Sequence, residues 1–332
     1  MWFETLTGFR EQSPEQVRKN MSVNGELLKS HANEREFICG LLETPSLAEL
    51  RLRVALSGSY SGQISVREEI ADVQQLHTGK SNAGSLFQVA SQFNLLEMVS
   101  PNVTPEQGIE GYESDRTQGP ACAIAAGAGT IYRNYFANVN GESGQTSNNQ
   151  IDCLADIGAA LGNSDNHLWE MKNGYALASK KGLIEITNQI KSATESEIDN
   201  LRKLLHIGIQ WNTEVTLNDS KHTVTQAYCS ALPVAYSQQS SELWAGFARI
   251  VLEASYEATI CTGILNFLKT GNNKVYLTLI GGGAFGNEMA WIMNAINRSL
   301  NLYKSVGIDV VIVSHGYSNN HVKELIHQFE TG

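Results

Sequence analysis

The sequence predicts an α/β fold in which a layered, mixed sheet is flanked by helices. Short apolar runs that are typical of buried strands alternate along the chain with longer amphipathic runs that are typical of helices. Of the 332 residues, 42% are hydrophobic, which is enough to form a substantial core. Near the C-terminus, the strand-like runs 274–280 and 308–314 flank a glycine-rich turn and a helix-like segment.

The N-terminal part is predicted to be mainly helical. Residues 1–60 are interpreted as a helical extension, in which Ser46 and Glu49 have the spacing of a capping box at the start of the last helix. Residues 61–332 are expected to form one domain with an insertion at about 137–270. Neither an internal repeat nor a linker-like change of composition divides the chain further.

The other elements follow from apolar periodicity and from the positions of turn residues. Helix-like runs cover 120–135, 151–161, 183–205, 242–268 and 288–303, and a short helix is expected at the C-terminus. Strand-like runs cover 86–93, 167–179, 207–217, 224–236, 274–280 and 308–314, while 64–70 fits either a strand or a short helix. A stripe with helical spacing is predicted to face the core, and it consists of Trp244, Phe247, Ile250, Val251 and Ala254.

Composition and charge exclude several classes of protein. The net charge is −10 and no run is rich in Lys or Arg, so we expect no nucleic-acid partner, because binding a phosphate backbone requires a basic surface. No run approaches the ~20 apolar residues of a membrane-spanning helix, and the N-terminus lacks the pattern of a signal peptide. We therefore expect no membrane partner and a cytoplasmic location.

The cysteines indicate neither disulfides nor a metal centre. Their number is odd, their spacing is wide and their surroundings are mostly apolar, which favours reduced, buried thiols. They are Cys39, Cys122, Cys153, Cys229 and Cys261. No pair of Cys or His residues has the spacing of zinc ligands, so we expect no metal and no cofactor.

The segment from Leu277 to Asn287 is the most informative part of the chain. An apolar strand leads into a run of glycines that begins at Gly281, and an amphipathic helix follows. Glycines allow the backbone to lie close to a ligand, and the start of a helix offers unpaired N–H groups and the positive end of the helix dipole. A phosphate or a diphosphate is the ligand that this combination favours.

The same segment matches the dinucleotide-binding fingerprint with Gly281, Gly283 and Gly286. In that fold the fingerprint opens a series of strand–helix units, and an acidic residue stands about 20 residues later at the end of the second strand. Here the fingerprint lies near the C-terminus, before one helix, one strand and a short terminal helix. We therefore prefer a diphosphate site without hydride transfer, and a nicotinamide-dependent enzyme is an alternative.

A series of segments occurs in an order that resembles a known family. The segments are Glu69–Leu76, then Phe87–Asn94 followed by an acidic loop and Thr117–Ala125, and finally the glycine loop Ile280–Asn287. This order resembles the macrodomain superfamily, whose members bind ADP-ribose or hydrolyse ADP-ribosyl groups. The resemblance covers about 72–135 and 274–316 and implies a macrodomain-like fold for residues 61–332.

One motif is similar to that of a divergent branch of this superfamily. The motif runs from Arg116 to Cys122, and the branch includes bacterial effector-type ADP-ribosyl hydrolases, some of which act on ADP-ribosyl-arginine. A long loop at 98–119 replaces the glycine cluster that usually follows the asparagine strand. The resemblance makes delivery into a host cell as an effector an alternative to a role in the cytoplasm of the producing cell.

The resemblance also implies which residues bind the ligand. Asp72 would accept a hydrogen bond from the adenine amine, the Val73 amide would donate to a ring nitrogen, and Asn94 would hold ribose hydroxyls. The residues expected beside the distal ribose and the diphosphate are Thr117, Gln118, Gly119, Gly282, Gly283, Ala284, Phe285, Gly286 and Asn287. The alternatives are that Asp72 and Asn94 are ordinary turn residues, and that the glycine loop is only a tight turn.

The catalytic group is expected among the acids of the loop that precedes Thr117. Hydrolysis at an anomeric carbon passes through an oxocarbenium-like state, which carboxylates stabilise while they position water and move protons. Asp115 is the first choice because it stands just before a helix start, and Glu113 and Glu97 are the second choices. The alternative for Asp115 is a helix-capping acid. Arg116 and Arg133 are candidates for positive charge near the phosphates.

The sequence therefore predicts an ADP-ribosyl hydrolase that removes ADP-ribose from a modified protein side chain, with arginine as one candidate. The expected partners are ADP-ribose and an ADP-ribosylated protein. A non-catalytic ADP-ribose-binding module is the alternative, because it needs the same glycine loop and no reactive acid. Either function requires that the turns after Asn94 and after Ile280 line one site.

Overall fold

A seven-stranded mixed sheet forms the centre of the protein in the computed structural model, which describes residues 1–58 and 61–331. Residues 59–60, at the end of the predicted extension, and residue 332, at the end of the predicted domain, lie outside the described residues. The strands are β1 (Met21–Asn24), β2 (Leu27–Ser30), β3 (Glu36–Ile38), β4 (Leu41–Glu43), β5 (Ser65–Ile70), β6 (Leu86–Ala90), β7 (Asn138–Val139), β8 (Glu142–Ser143), β9 (Trp169–Lys172), β10 (Tyr175–Ala178), β11 (Gly208–Glu214), β12 (Thr223–Cys229), β13 (Lys274–Leu277) and β14 (Asp309–Ser314). The α-helices are α1 (Trp2–Thr7), α2 (Pro14–Asn20), α3 (Leu47–Leu56), α4 (Val73–Thr78), α5 (Gln118–Ala125), α6 (Gly127–Tyr135), α7 (Ala155–Leu161), α8 (Lys180–Ser192), α9 (Glu195–Lys203), α10 (Ser241–Thr270), α11 (Met289–Leu302) and α12 (Asn320–Thr331).

The strand order in the large sheet is β4-β11-β12-β6-β13-β14-β5. The first three strands pair antiparallel, and the strands from β12 to β5 run parallel to one another. Parallel strands need crossover connections. The helix α10 connects β12 to β13, which lie on either side of β6, and α11 connects the neighbours β13 and β14. The predicted fold class, a layered mixed sheet flanked by helices, is confirmed.

Helices cover both faces of this sheet. Phe87 of β6 stacks on His77 of α4, with ring centroids 3.8 Å apart. The Nε2 of the next residue, Gln88, donates to Thr259 Oγ1 of α10 at 2.8 Å. Successive side chains of a strand point to opposite faces, so α4 and α10 lie on opposite sides of the sheet. The predicted stripe on α10 is confirmed as core, because every one of its residues is buried, namely Trp244, Phe247, Ile250, Val251 and Ala254.

The N-terminal segment is not a helical extension, and this prediction is wrong. Between its helices, β1, β2 and β3 form a small antiparallel sheet, and β4 is an edge strand of the large sheet. Gly25, at φ +61°, lies in the hairpin turn that joins β1 to β2. The predicted capping box is present, since the Ser46 hydroxyl accepts from Glu49 N at 3.2 Å and Ser46 N donates to the Glu49 carboxylate at 2.7 Å.

Residues 137–270, predicted as an insertion in the domain, contribute to its central sheet. The segment supplies β11 and β12 to the large sheet, and β12 pairs directly with β6. It also supplies α10, which packs against the sheet. The resemblance to a known family did not extend to this segment. Its strands β11 and β12 nevertheless overlap the predicted strand-like runs 207–217 and 224–236.

Several predicted elements are divided in the structure. The run 120–135 forms α5 and α6, which meet at Ala126, and the run 183–205 forms α8 and α9. The helix α9 begins after Thr194, which caps it, since the Thr194 hydroxyl accepts from Glu197 N at 3.3 Å. The run 167–179 is the hairpin of β9 and β10, and 64–70 contains the strand β5. The five cysteines are all buried, as predicted.

The topology brings the loops after several strands to one edge. β6, β12, β13 and β14 are parallel, so their carboxyl ends lie at the same edge of the sheet. The acidic loop at 98–117 and the glycine loop follow two of these strands. Within residues 1–58 and 61–331, no helix is both long enough and apolar enough to cross a membrane.

Candidate functional site

A cavity of about 190 Å³ lies at the carboxyl ends of the parallel strands, and we call it the first chamber. In α/β sheets, ligands usually bind at this edge, because the loops that follow the strands converge there. The segments 90–92 and 97–99, which follow β6, line the first chamber together with residues of the glycine loop. The two turns that the sequence analysis required to converge therefore line one site.

A second chamber of about 580 Å³ adjoins the first. Four of the lining residues are common to both chambers, namely Asp115, Thr117, Gln118 and Thr278. The second chamber extends to the start of α4 and to His315, which follows β14. The chambers are thus compartments of one cleft, which extends from the glycine loop to the start of α4.

The glycine loop is held in a tight, internally bonded shape. Gly281 has φ +74° and accepts a hydrogen bond from Asn287 N at 2.9 Å, and Gly286 N donates to Gly283 O at 3.0 Å. The described chain offers no hydrogen-bond acceptor to the N–H groups of Gly283, Ala284 and Phe285. Successive unpaired N–H groups in such a turn form an anion-binding concavity.

The structure requires glycine at some positions of this loop and not at others. A Cβ at Gly281 would stand 2.5 Å from the Cβ of Ala231, and one at Gly286 would stand 2.8 Å from the Cβ of Ala235. A Cβ at Gly283 would meet nothing within 4 Å. The fold therefore does not explain the glycine at 283, which lines the first chamber. Close approach of a ligand to the backbone would explain it.

The start of α11 agrees with the helix-like run 288–303 that the sequence predicts. The N-cap residue is Glu288 and the helix begins at Met289, so the loop, rather than the helix end, lines the chamber. Asn287 neither caps α11 nor lines either chamber, and its Nδ2 donates to Leu232 O at 2.8 Å behind the loop. The Asn287 side chain is therefore buried behind the loop rather than directed into a chamber.

The start of α5, in contrast, faces the cleft. Thr117, Gln118, Gly119 and Pro120 all line the first chamber. The N-cap, Thr117, makes no side-chain cap, and its hydroxyl donates to Asp115 Oδ1 at 2.7 Å. Gln118 fixes the helix to the sheet, since its Oε1 accepts from Ala90 N at 2.9 Å. Pro120 has no N–H and Thr117 N donates to Asp115, so Gln118 and Gly119 supply the N–H groups of this first turn that favour an anion.

Glu97 is the buried carboxyl group of the first chamber. Only 2% of the residue is exposed, and Oε2 has no hydrogen-bond partner in the described part of the chain. Burial raises the pKa of Glu97 to about 7, and the nearby Arg133 opposes this effect. Glu97 N donates to the hydroxyl of Tyr112 at 2.9 Å, which ties the acid to the loop before α5. Glu97 therefore holds or releases a proton near neutral pH.

The other two candidate acids have different positions. Asp115 is half-buried at the junction of the chambers, and its Oδ1 accepts from Thr117 N at 2.8 Å. Glu113 is exposed, and its carboxylate accepts from Trp2 N at 3.0 Å. Glu113 lines the second chamber but not the first. The structure thus brings Glu97 and Asp115 to one chamber and leaves Glu113 apart from it.

Asn94 lies outside both chambers, so its side chain is not positioned for the expected contact with ribose hydroxyls. The residue is fully buried, its Nδ2 donates to Gln150 Oε1 at 2.8 Å, and its Oδ1 accepts from Leu96 N at 3.1 Å. Because both atoms of the amide are bonded, Asn94 shapes the turn that leads to Glu97. The alternative interpretation, a turn residue, describes it better.

Asp72 and Val73 lie at the far end of the cleft. Asp72 is the N-cap of α4, where its Oδ1 accepts from Gln74 N at 2.8 Å, and it is also exposed to the second chamber. Val73 lines the same chamber. Arg116 is exposed there, whereas Arg133 is fully buried against Glu97 and cannot reach a phosphate in the cleft.

An aromatic cluster that the sequence did not predict lies in the first chamber. Tyr175, Tyr236 and Phe285 contact one another, with ring centroids 5.2–5.6 Å apart. Tyr175 belongs to β10 and its hydroxyl donates to Met98 O at 2.6 Å, so the hairpin of β9 and β10 forms one wall. Only Phe285 stood in a recognised motif, because the tyrosines lie in the segment without a resemblance.

Comparisons with known proteins give structural likeness only. Neither a family model nor a curated protein matches the chain. The poly(ADP-ribose) glycohydrolase of Thermomonospora curvata is 10% identical, with 95% of each chain covered and a TM-score of 0.46. That of Deinococcus radiodurans, solved in complex with ADP-ribose, is 11% identical, with 97% of this chain and 99% of that chain covered and a TM-score of 0.44. At this level, the likeness carries no conclusion about activity.

Proposed function

We propose that the protein is an ADP-ribosyl hydrolase, which releases ADP-ribose from a modified protein side chain. The observation that carries the proposal is the meeting, in one chamber, of a glycine loop with unpaired N–H groups and a buried carboxyl group, Glu97. The loop is suited to a diphosphate, and the carboxyl group is suited to cleaving a glycosidic bond.

The diphosphate would lie between the glycine loop and the start of α5. The N–H groups of Gly283, Ala284 and Phe285 face it from one side, and the first turn of α5 supports negative charge from the other. The adenosine would extend into the second chamber, towards Asp72 and Val73. This placement uses backbone donors for the phosphates, which is compatible with the net charge of −10.

Glu97 is our candidate for the catalytic acid, in preference to the sequence-based first choice, Asp115. A carboxyl group with a pKa of about 7 still carries a proton near neutral pH and can give it to a leaving group. Asp115, at the junction of the chambers, would act as the second carboxylate, which orients water or stabilises positive charge on the ribose. We assign Glu113 no catalytic role, because it lies outside the first chamber.

The identity of the modified side chain is the finer part of this proposal. We propose arginine, because the cluster of Tyr175, Tyr236 and Phe285 provides aromatic faces on which a planar guanidinium stacks. Tyr236 is 38% exposed and so remains open to a ligand. An aspartate- or glutamate-linked ADP-ribose is the comparison, since a protonated Glu97 would also assist an oxygen leaving group.

A nicotinamide-dependent oxidoreductase fits the structure less well. The strand β14, which follows the glycine loop and α11, ends at Ser314, and the next residue is His315. A dinucleotide site needs an acidic residue at that strand end to bind ribose hydroxyls. A non-catalytic ADP-ribose module remains the second candidate. Glu97 argues against it, because a buried carboxyl group with one unpaired oxygen weakens a fold that does not use it.

The test combines binding with turnover. The full chain is titrated with ADP-ribose and with NAD by calorimetry, and it is incubated with proteins that carry arginine-linked or carboxylate-linked ADP-ribose. We expect binding of ADP-ribose and release of ADP-ribose from the arginine-linked substrate. Binding without release from either substrate would support the non-catalytic module, and preference for intact NAD would support the oxidoreductase.

A further inference from the structure

A continuous line of polar side chains runs beneath the first chamber. It begins at Glu97, whose Oε1 lies 3.4 Å from Nη2 of Arg133. Arg133 Nη1 donates to the hydroxyl of Tyr228 at 2.5 Å, and that hydroxyl donates to Gln226 Oε1. The line ends at His77, whose Nε2 lies 3.1 Å from Gln226 Nε2. Arg133, Tyr228, Gln226 and His77 are fully buried.

The bonds of this line have one consistent direction. Gln226 Nε2 also donates to Cys122 O at 2.9 Å, so the amide presents its oxygen to Tyr228. The Tyr228 hydroxyl must then donate to Gln226, and its lone pair is left to accept from Arg133. His77 completes the pattern as a neutral acceptor at Nε2, since burial lowers its pKa to about 4.

Arg133 is engaged by more acceptors than Glu97 alone. Its Nε donates to Leu95 O at 3.1 Å, and Nη2 donates to Thr130 Oγ1 at 3.3 Å as well as approaching Glu97. Its Cζ lies 3.7 Å from the ring centroid of Tyr228, which therefore holds the guanidinium both by stacking and by a hydrogen bond. The contact with Glu97, at 3.4 Å, is the longest of these hydrogen bonds.

The long contact is unusual for a buried pair of opposite charges. A guanidinium and a carboxylate normally form two parallel bonds of about 2.7–2.9 Å. Here Oε2 of Glu97 has no partner, while Nη1 of Arg133 is bonded to Tyr228 instead. One of the two N–H groups of Nη1 is therefore directed away from Glu97, towards Tyr228.

We propose that Tyr228, which lines neither chamber, is a positioning residue that keeps Arg133 from closing onto Glu97, so that the carboxyl group stays free for chemistry in the first chamber. This inference rests on the proposed role of Glu97 as the acid. Without the Tyr228 hydroxyl, Nη1 would be left unpaired in a buried place and would turn to the free oxygen of Glu97. Glu97 would then be held as a carboxylate.

The other groups near Glu97 do not offer a competing charge. Tyr112 faces it from the 3₁₀ helix Glu110–Ser114, Cys122 faces it from α5, and Tyr228 faces it from β12. Burial raises the pKa of each of these groups, so they are neutral near neutral pH. Among the described neighbours of Glu97, Arg133 is thus the charged one that a shift in geometry would bring closer.

The experiment is the pH dependence of turnover for the Tyr228→Phe variant. The ring that stacks on Arg133 is kept and only the hydroxyl is removed. We expect the alkaline limb of the kcat/KM profile to move to lower pH by on the order of 1 unit, with little change in affinity for ADP-ribose. Thr130→Val removes the side-chain acceptor that competes with Glu97 for Nη2 of Arg133. It should move the limb in the same direction, and it serves if Tyr228→Phe does not fold.

Tyr303→Phe is the matched control. Its hydroxyl accepts from Cys261 Sγ at 3.0 Å and donates to Glu257 at 3.3 Å, and Tyr303 lines neither chamber. It should leave the profile in place. An unchanged limb in Tyr228→Phe, a shift to higher pH, or an equal loss of activity at every pH would overturn the inference.

A measurement that needs no turnover separates this inference from the proposed function. Infrared difference spectroscopy follows the carboxyl band that is present in the wild type and absent in Glu97→Gln. In Tyr228→Phe this band should disappear at lower pH than in the wild type. If no substrate is cleaved but the band shifts, the positioning role stands and the proposed function fails; if the band does not shift, the positioning role fails.

Discussion

Gly119 of α5 lies directly against Glu97. A Cβ at residue 119 would stand 3.1 Å from the Cγ of Glu97 and 2.0 Å from the carbonyl oxygen of Ala90. The absence of a side chain thus allows the first turn of α5 to approach both the end of β6 and the buried acid. The unpaired N–H groups of a helix start and the carboxyl group of Glu97 meet because of this contact.

This contact gives the first prediction. In Gly119→Ala, the new Cβ overlaps a backbone atom, which cannot move as a flexible side chain can. We expect a loss of roughly 1–3 kcal/mol in the free energy of unfolding, because overpacking forces the backbone to shift. Gly111→Ala is the control, since a Cβ there meets nothing within 4 Å. Denaturant unfolding measures both, and equal stability of the two variants would contradict the predicted contact.

The second prediction concerns turnover. If Glu97 donates a proton, Glu97→Gln should lower kcat by about 10²–10⁴-fold and leave the affinity for ADP-ribose nearly unchanged. The wild-type kcat/KM should fall as pH rises through about 7, where Glu97 loses its proton. Glu113→Gln is the control outside the first chamber. A large loss of kcat in Asp115→Asn with a small loss in Glu97→Gln would instead identify Asp115, the first choice from the sequence, as the catalytic acid.

The third prediction links the same acid to stability. Burial raises the pKa of Glu97 from 4.5 to about 7, so the folded state binds the proton more tightly than the unfolded state. Its contribution to stability is complete below pH 4.5 and is lost as pH rises through about 7. Relative to Glu97→Gln, the wild type should lose roughly 3 kcal/mol at most over this window. Urea unfolding of both proteins at several pH values measures the difference, and parallel curves would refute it.

The sequence predicted the parts of the fold that depend on local pattern. Apolar runs with clear boundaries, such as 242–268 and 308–314, became α10 and β14. The N-terminal strands were missed because they are short, with three or four residues each, and because their pairing partners determine them. Strand β4 exists by pairing with β11, which lies far away in the chain. No local periodicity carries that information.

The candidate site shows the same division. Motifs placed the glycine loop and the start of α5 correctly, because both depend on residues close in sequence. The choice between Asp115 and Glu97 depends on burial, which follows from the packing of α5 over the end of β6. Tyr175 enters the chamber from a hairpin that forms a separate two-stranded sheet. These relationships are tertiary, so the sequence gives no signal for them.

The fourth prediction separates glycines needed by the fold from glycines needed by a ligand. Gly281→Ala should destabilise the protein, because Gly281 has φ +74° and no room for a Cβ. Gly283→Ala should leave stability within about 0.5 kcal/mol, since a Cβ there meets open space. We expect Gly283→Ala to weaken ADP-ribose binding about tenfold or more, because the methyl group faces the chamber. Calorimetry with unaltered affinity would show that position 283 does not contact a ligand.

The N-terminal segment also supports the candidate site, through Glu11. One oxygen of this carboxylate accepts from Ile109 N at 2.9 Å and from Glu110 N at 2.6 Å, and the other accepts from the hydroxyl of Tyr135. These bonds fix the loop that carries Tyr112, whose hydroxyl accepts from Glu97 N. The segment before α2 is thus connected to the buried acid by a short series of contacts.

The last prediction follows from this connection. In Glu11→Ala, the N–H groups of Ile109 and Glu110 lose their buried acceptor, so we expect a loss of roughly 1–3 kcal/mol in stability. Hydrogen exchange should accelerate at these two amides first, before global unfolding exposes the sheet. Glu15→Ala is the control, because Glu15 is exposed on the neighbouring helix α2. Equal exchange rates at Ile109 and Glu110 in the two variants would mean that the N-terminal segment only covers the loop. Faster exchange in Glu11→Ala, together with a reduced kcat, would mean that the segment holds the loop in place for the site.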